Sequence, residues 1–277
     1  MQVLAIVGVM GSVALAPPHS APSGKTNEPS GADMVEQRTQ DFEWTGRIGE
    51  GLAIEVKGVL GDIRAVAASG TEVAVTAEIR EGRRGDAEDI EFEVIEHDGG
   101  VTICAVYPTP RRADEPNECR PGGRGRMNTS DNDVEVYFTV RVPRGVNFVG
   151  RTVNGEIDVE SLDGDVDVHT VNGDVDVSTS GIAQATTVNG SIWVALGSTQ
   201  WDGALEFETV NGSITVEIPD GVGADVSAKT VNGGIETDFP LTVQGRFSAR
   251  RLTGTIGGGG PRLWLETVNG RIELRRR

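Results

Sequence analysis

Forty-two acidic side chains are the most plentiful chemical material in this chain of 277 residues. Paired carboxylates cleave glycosidic bonds when one acts as acid and the other as base or nucleophile. They also collect hard cations such as Ca²⁺. Glu156 and Asp158 recur 18 residues later as Asp174 and Asp176. Outward Asp is so common here that no single pair stands out as catalytic. The glycine-rich calcium repeat is missing, so a solvated acidic face is the plainer reading. Five arginines, Arg111, Arg112, Arg120, Arg124 and Arg126, crowd one loop. Guanidinium groups match carboxylate and phosphate geometry, so this loop could hold an anionic surface polymer; a solvated loop is the simpler account.

Other candidates are sparser. His19, His97 and His169 are scattered and have no neighbouring nucleophile or metal-ligand set. Trp193, Trp201 and Trp264 could stack on sugars, with Trp193 on an expected outer face; capping of neighbouring strands explains them as well. Arg84-Gly85-Asp86 spells an integrin tripeptide, a pattern short enough to arise by chance. Gly257–Gly260 lacks the strand-to-helix setting of a phosphate loop. No catalytic residue, metal ligand or cofactor is expected from these residues, and the chain reads as a non-enzyme.

The elements that position these groups are strands. Glycine is abundant at 38 residues, aromatics make up 5%, and the formal charge is −17. That charge argues against nucleic acid as a partner, because phosphate contacts need clustered bases. Residues 1–24 read as a secretory signal with an apolar run, MQVLAIVGVMGSVALA, too short to span a bilayer. No base precedes the run, and Pro17 follows Ala14-Leu15-Ala16. Residues 25–41 read as a disordered linker. Cys104 and Cys119 flank a polar loop. A disulfide there would suit an extracytoplasmic location and contribute ~3 kcal/mol; two free thiols are the alternative. No transmembrane span is expected in the mature chain, which should be periplasmic, surface-borne or secreted.

The tetrapeptide TVNG occurs six times, with turns at Asn154-Gly155, Asn172-Gly173, Asn189-Gly190, Asn211-Gly212, Asn232-Gly233 and Asn269-Gly270. Weaker relatives are GVLG at 58–61, SLDG at 161–164 and RLTG at 251–254, which puts Thr253 in the Asn slot. A period near 20 with variable connections is the mark of a solenoid. Within each copy, alternate positions are apolar, as in Val171, Gly173, Val175 and Val177. This pattern predicts one buried strand face that runs straight through Asn-Gly, with Thr and Asn on the other face. A two-residue hairpin at Asn-Gly would pair Val171 with Asp174 and Val188 with Ser191, mismatching every copy. A corner in a continuing strand is therefore expected. Glycine would serve either close packing or a positive φ, and the stacked Asn amides could form a ladder. A hairpin is expected at Asp98-Gly99, within residues 91–107.

Taken together, FEWTGRI, KGVLGDIRA, EHDGGVTICAVYP, NDVEVYFTVRVP and the TVNG copies resemble the bacterial putative adhesin family of β-strand repeat proteins (DUF4097) over about residues 42–277. The resemblance implies an all-β, extracytoplasmic β-solenoid without known catalytic residues. The expected fold is thus a β-solenoid, a parallel β-helix-like stack, with an N-terminal β capping region at 42–150 and the TVNG repeats at 151–277. An antiparallel hairpin-built β-sandwich is the alternative. The expected function is adhesin-like binding or scaffolding through a rigid face, as a monomer, toward an envelope or surface component such as a glycan or protein. Rival readings are a self-assembling envelope protein or signalling partner, and a polysaccharide-processing enzyme. Residues 151–240 carry 16 acids and 2 bases, whereas 241–277 carry 2 acids and 8 bases. A basic coil is therefore expected at the end of the stack, guarding an open strand edge or meeting an acidic neighbour or a membrane surface.

Overall fold

Alternating apolar and polar residues become strand throughout the computed structural model, which describes residues 42–277 apart from 124, 131, 199, 200, 202 and 244–247. The expected signal and linker lie outside the described residues. Among those described, the strands form one ten-stranded sheet, one eleven-stranded sheet and a small two-stranded ribbon.

In space, the ten-stranded sheet runs β1 (Phe42–Gly46), β4 (Val73–Arg80), β9 (Glu135–Val142), β3 (Ile63–Ala67), β11 (Ile157–Leu162) and β13 (Val175–Thr179). It continues through β15 (Ile192–Leu196), β17 (Ile214–Ile218), β23 (Ile272–Arg276) and β19 (Ile235–Thr237). The eleven-stranded sheet starts with β20 (Leu241–Val243), β21 (Arg251–Ile256), β18 (Ala224–Asn232), β22 (Arg262–Asn269), β16 (Leu205–Asn211) and β14 (Ala183–Thr186). It ends with β12 (Val166–His169), β10 (Asn147–Arg151), β2 (Ala53–Lys57), β6 (Gly100–Val106) and β5 (Glu91–His97). The ribbon is β7 (Glu118–Cys119) with β8 (Gly125–Arg126).

Each coil contributes one strand to each large sheet. Val166–His169 lies in the second sheet, the chain turns at TVNG, and Val175–Thr179 lies in the first. Both strands pair in parallel with their counterparts one coil on. The strands flanking Asn-Gly never pair with each other, so the fold is the expected β-solenoid. Hairpins occur at its ends, where β5 and β6 turn at Asp98-Gly99 and β18, β21 and β20 run antiparallel. The strands β2 and β3, before the repeats, stack directly on β10 and β11. The core lies between the sheets: Val175, Val177, Ile192, Val194, Ile214 and Val216 from one side, Val168, Ala185 and Phe207 from the other, all with essentially no exposure.

The corner departs from expectation in one respect. The threonine of TVNG points inward and the valine outward: Thr170 is 4% exposed and Val171 38%, and Thr187 and Val188 repeat this at 1% and 37%. The inward set steps from Val168 and Thr170 to Val175 and Val177, an odd interval, so the period-two phase breaks at the corner. The convex side of a turn between two sheets takes two consecutive side chains, Val and Asn. The concave side then has room only for backbone.

Two sequence relatives also move. SLDG at 161–164 forms the opposite corner, where the chain returns to the second sheet, which explains its position midway between TVNG copies. RLTG is no corner: Thr253 lies within β21 and pairs antiparallel with Ser227. Asn232 and Asn269 are therefore 37 residues apart in sequence yet adjacent in space.

Candidate functional site

Each residue of TVNG has a contact in the neighbouring coil. The Thr hydroxyl donates to a glycine carbonyl one coil away: Thr170 Oγ1 to Gly155 O at 2.9 Å, Thr187 to Gly173 at 3.0 Å, Thr209 to Gly190 at 2.8 Å. Thr267 and Thr230 continue this to Gly212 and Gly270, both at 2.9 Å. The Asn amides donate in one direction along the stack. Asn172 bonds to Asn154 at 2.7 Å, Asn189 to Asn172 at 2.7 Å, Asn211 to Asn189 at 2.8 Å, Asn269 to Asn211 at 2.7 Å and Asn232 to Asn269 at 2.8 Å. A Cβ on Gly173, Gly190 or Gly212 would lie 2.0, 1.9 or 1.8 Å from the preceding glycine's carbonyl oxygen, and none of the six repeat glycines has a positive φ. Close approach of backbones is therefore why glycine stands there. These residues hold the stack together.

One recess lies on the outer face of the eleven-stranded sheet, near the disulfide. Outward positions of neighbouring strands line up as Thr102, Glu55, Val149 and Asp167 in one row and Cys104, Lys57, Arg151 and His169 in the next. Over these rows passes the loop between β6 and β9, tied down by the Cys104–Cys119 disulfide. Asn117 braces the loop from within: its side chain donates to Tyr107 O at 2.8 Å and Asn128 O at 2.9 Å, and accepts from Asn128 N at 2.7 Å. At the loop's base the buried Tyr107 hydroxyl donates to Val134 O at 2.8 Å, and burial pushes this phenol well above its ordinary value.

Beneath the loop Glu55 is only 4% exposed. A buried carboxylate must be paired, and Glu55 accepts from Thr102 Oγ1 at 2.8 Å, Gly122 N at 2.9 Å and Arg151 Nε at 3.1 Å. Lys57 Nζ lies 3.5 Å from Glu55 and donates to the carbonyls of Arg120 and Gly122. Burial lowers the Lys57 ammonium pKa, Arg151 adds to the shift, and Glu55 opposes it. Arg151 also reaches Asp167 at 2.9 Å, whose other oxygen lies 2.6 Å from His169 Nε2. Burial pushes the Asp167 carboxyl up, but the hydrogen bonds and charges of His169 and Arg151 outweigh it and leave it below its ordinary value.

Beside this network opens a cavity of about 270 Å³, lined by Lys57, Arg120, Arg126, Arg151, Glu118 and Met127 among others. Arg120 pairs with Glu118 at 2.7 Å and Arg126 with Glu115 at 2.5 Å, all about half exposed. Exposed pairs of this kind contribute little stability. Arg111 and Arg112 line a separate hollow with Arg84 and Asp89, and Arg124 lies outside the described residues. The sequence shows the loop arginines, but not Glu55, Lys57 or Arg151. Their alternation with Ile54, Val56 and Gly150 marks them only as outward, and nothing local signals that a distant loop covers them.

The remaining candidates are dispersed. Asp158 and Asp176 face each other on adjacent strands, with Arg64 3.8 Å from Asp158. Trp193 is on the ten-stranded sheet and Trp264 on the other, so they share no platform; the Arg262 guanidinium lies 4.5 Å over the Trp264 ring. Trp201 is buried. Arg84 sits 3.5 Å from Asp133, and Asp86 caps a 3-10 turn at Ala87–Asp89. His97 bonds Thr102 at 3.0 Å, and His19 lies outside the described residues.

Parallel coils laid side by side around an aliphatic interior define a β-solenoid, with a loop-covered recess near one end. Residues 150–275 match the Toastrack DUF4097 family, which bears out the family resemblance over the repeats. Among solved structures, a putative cell adhesion protein from Clostridium sporogenes aligns over 87% of this chain and 100% of its own, at 12% identity and a TM-score of 0.50. A putative adhesin from Bacteroides fragilis aligns over 86% and 97%, at 12% identity and a TM-score of 0.32. At such identity the first likeness concerns the fold alone. No curated protein matches the chain. Among the described residues, no helix is long and apolar enough to cross a membrane.

Proposed function

We propose that this chain is a non-enzymatic, extracytoplasmic binding and scaffold protein of adhesin type, and that the recess beside the disulfide loop takes anionic groups of an envelope or surface polymer. The observation that carries the reading is the recess itself, where Lys57, Arg120, Arg126 and Arg151 converge within a strongly acidic chain. Guanidinium forks suit carboxylate and phosphate. The disulfide and the apolar leader support the location. The adhesion role ascribed to the Clostridium sporogenes protein agrees with the reading.

The test is binding of polygalacturonate and polyphosphate, with neutral dextran as control, by biolayer interferometry at several salt concentrations. The polyanions should bind, weaken as salt rises, and lose about tenfold in affinity for each arginine removed, about a hundredfold in R120A/R126A, in line with charge-assisted contacts of ~1.5 kcal/mol each. Equal binding of dextran, or unchanged affinity in the double variant, overturns the assignment of the recess. Release of shortened chains from the polymer would overturn the non-enzymatic reading.

A further inference from the structure

The coil that ends the sequence does not end the stack. Strands β22 and β23, residues 262–276, insert between two coils that are consecutive in sequence. β22 pairs in parallel with both β16 and β18, and β23 with both β17 and β19. Of the basic segment expected at an open end, residues 262–276 are therefore internal, while β20 and β21, with Arg251, do lie at the edge of the eleven-stranded sheet. Its surroundings explain the charge: residues 205–240 carry seven acids and one lysine, while 261–277 carry five arginines and two glutamates. Arg271 lies 3.7 Å from Glu236 and Arg276 3.0 Å from Asp220, while Glu266 pairs with Lys229.

We propose that residues 262–276 form an exchangeable coil, and that the slot between 205–218 and 224–237 accepts the same coil from a second copy of this chain. Both walls of the slot present the register common to the whole stack. Asn269 meets Asn211 on one side and Asn232 on the other, and the Thr-to-Gly bonds continue across both. A coil arriving from another molecule would remake every one of these contacts. The tether is Gly257–Gly260, with positive φ at Gly257 and Gly259, where backbone direction changes at low cost. Exchange of an identical element that remakes the same contacts is a low-cost route to dimers, with the hinge loop setting its balance against the closed monomer. The population then follows protein concentration.

Thr215 and Glu273 are Cα partners on β17 and β23, so cysteines placed there lie within disulfide reach. With T215C in one preparation and E273C in another, a bond between the two chains forms efficiently only when the coil of one sits in the slot of the other. Unfolded chains mixed and refolded together should yield this cross-link, read by peptide mass spectrometry. Its yield should rise with concentration and exceed that of a T215C and E91C control mixture about fivefold. Chains folded separately and then mixed should give only the control level. Substitution-free chains of two isotopic masses, co-refolded, should give mixed dimers by native mass spectrometry. Deleting Gly258 and Gly259 should raise the dimer share, because short hinges favour exchange. Control-level cross-linking at every concentration, or wild-type and hinge-shortened chains that both stay monomeric after refolding, overturns the proposal.

Discussion

At the scale of the residue, TVNG is a set of four different tasks. Thr closes a buried hydrogen bond to the next coil, Val covers the convex side, Asn extends an exposed amide ladder, and Gly lets two backbones touch. Urea unfolding should separate these roles. T187V keeps the volume but leaves Gly173 O without its 3.0 Å donor, and should cost about 1 kcal/mol. V188T, on the exposed neighbour, should stay within about 0.5 kcal/mol. G190A drives a methyl into the Gly173 carbonyl and should cost about 3 kcal/mol. Equal effects of T187V and V188T would refute the phase break. A pH effect belongs here as well. Burial, with Asp174 beside it, raises the Asp176 carboxyl above its ordinary value. A folded-state value above the unfolded one stabilises the protein at pH values below the unfolded value, and that contribution is lost as pH rises through the folded one. D176N should therefore be more stable than wild type at pH 7, with the gain vanishing near pH 3. Thermal melts at both values check the sign.

At the scale of the element, the two strands of a coil are held by alternation on either side of the corner. Val175 is fully buried and Asp176 is exposed. V175D places an unpaired charge between the sheets and should prevent folding, while D176S should keep the wild-type far-ultraviolet circular dichroism, with a melting temperature at or slightly above wild type. Much of this was legible in residue order. Val175, Val177, Ile192 and Val194 alternate with polar neighbours, and the strands follow. The buried side of Thr170 was not legible, because Thr is compatible with either face of a strand and Val171 is the more apolar. Only the hydroxyl's bond to Gly155 and the convexity of the corner decide between them. The closeness of Gly155, Gly173 and Gly190 was equally ambiguous, since a positive φ would also have called for glycine.

At the scale of the whole described unit, the stack is continuous from β3 and β2 to the hairpins at its ends, yet it does not follow chain order. The charge contrast between 151–240 and 241–277 is plain in the sequence but has two opposite explanations, repulsion at an end or attraction within the stack. The insertion of β22 and β23 selects the second for residues 262–276, while β20 and β21 remain at the edge. The same scale governs the recess. Gly122 in the disulfide loop and Arg151 in β10 are 67 and 96 residues from Glu55 in β2 along the chain, and they form one network only because coils and loop are superposed. Reduction of the disulfide should release the loop, weaken polyanion binding and leave the TVNG corners intact.

What the sequence determined alone was periodicity: an all-β chain, one corner per repeat, parallel coils rather than hairpins, and asparagines able to stack. Those are local consequences of side-chain polarity at a spacing of two and of backbone chemistry repeated every coil. What only the tertiary structure decided was which side of each corner faces inward, which coil lies against which, and which charges are covered. The six TVNG corners are nearly interchangeable, so neighbours cannot be assigned from similarity. Order among equal partners is set by connection lengths, end hairpins and charge, and these act together only in the folded chain.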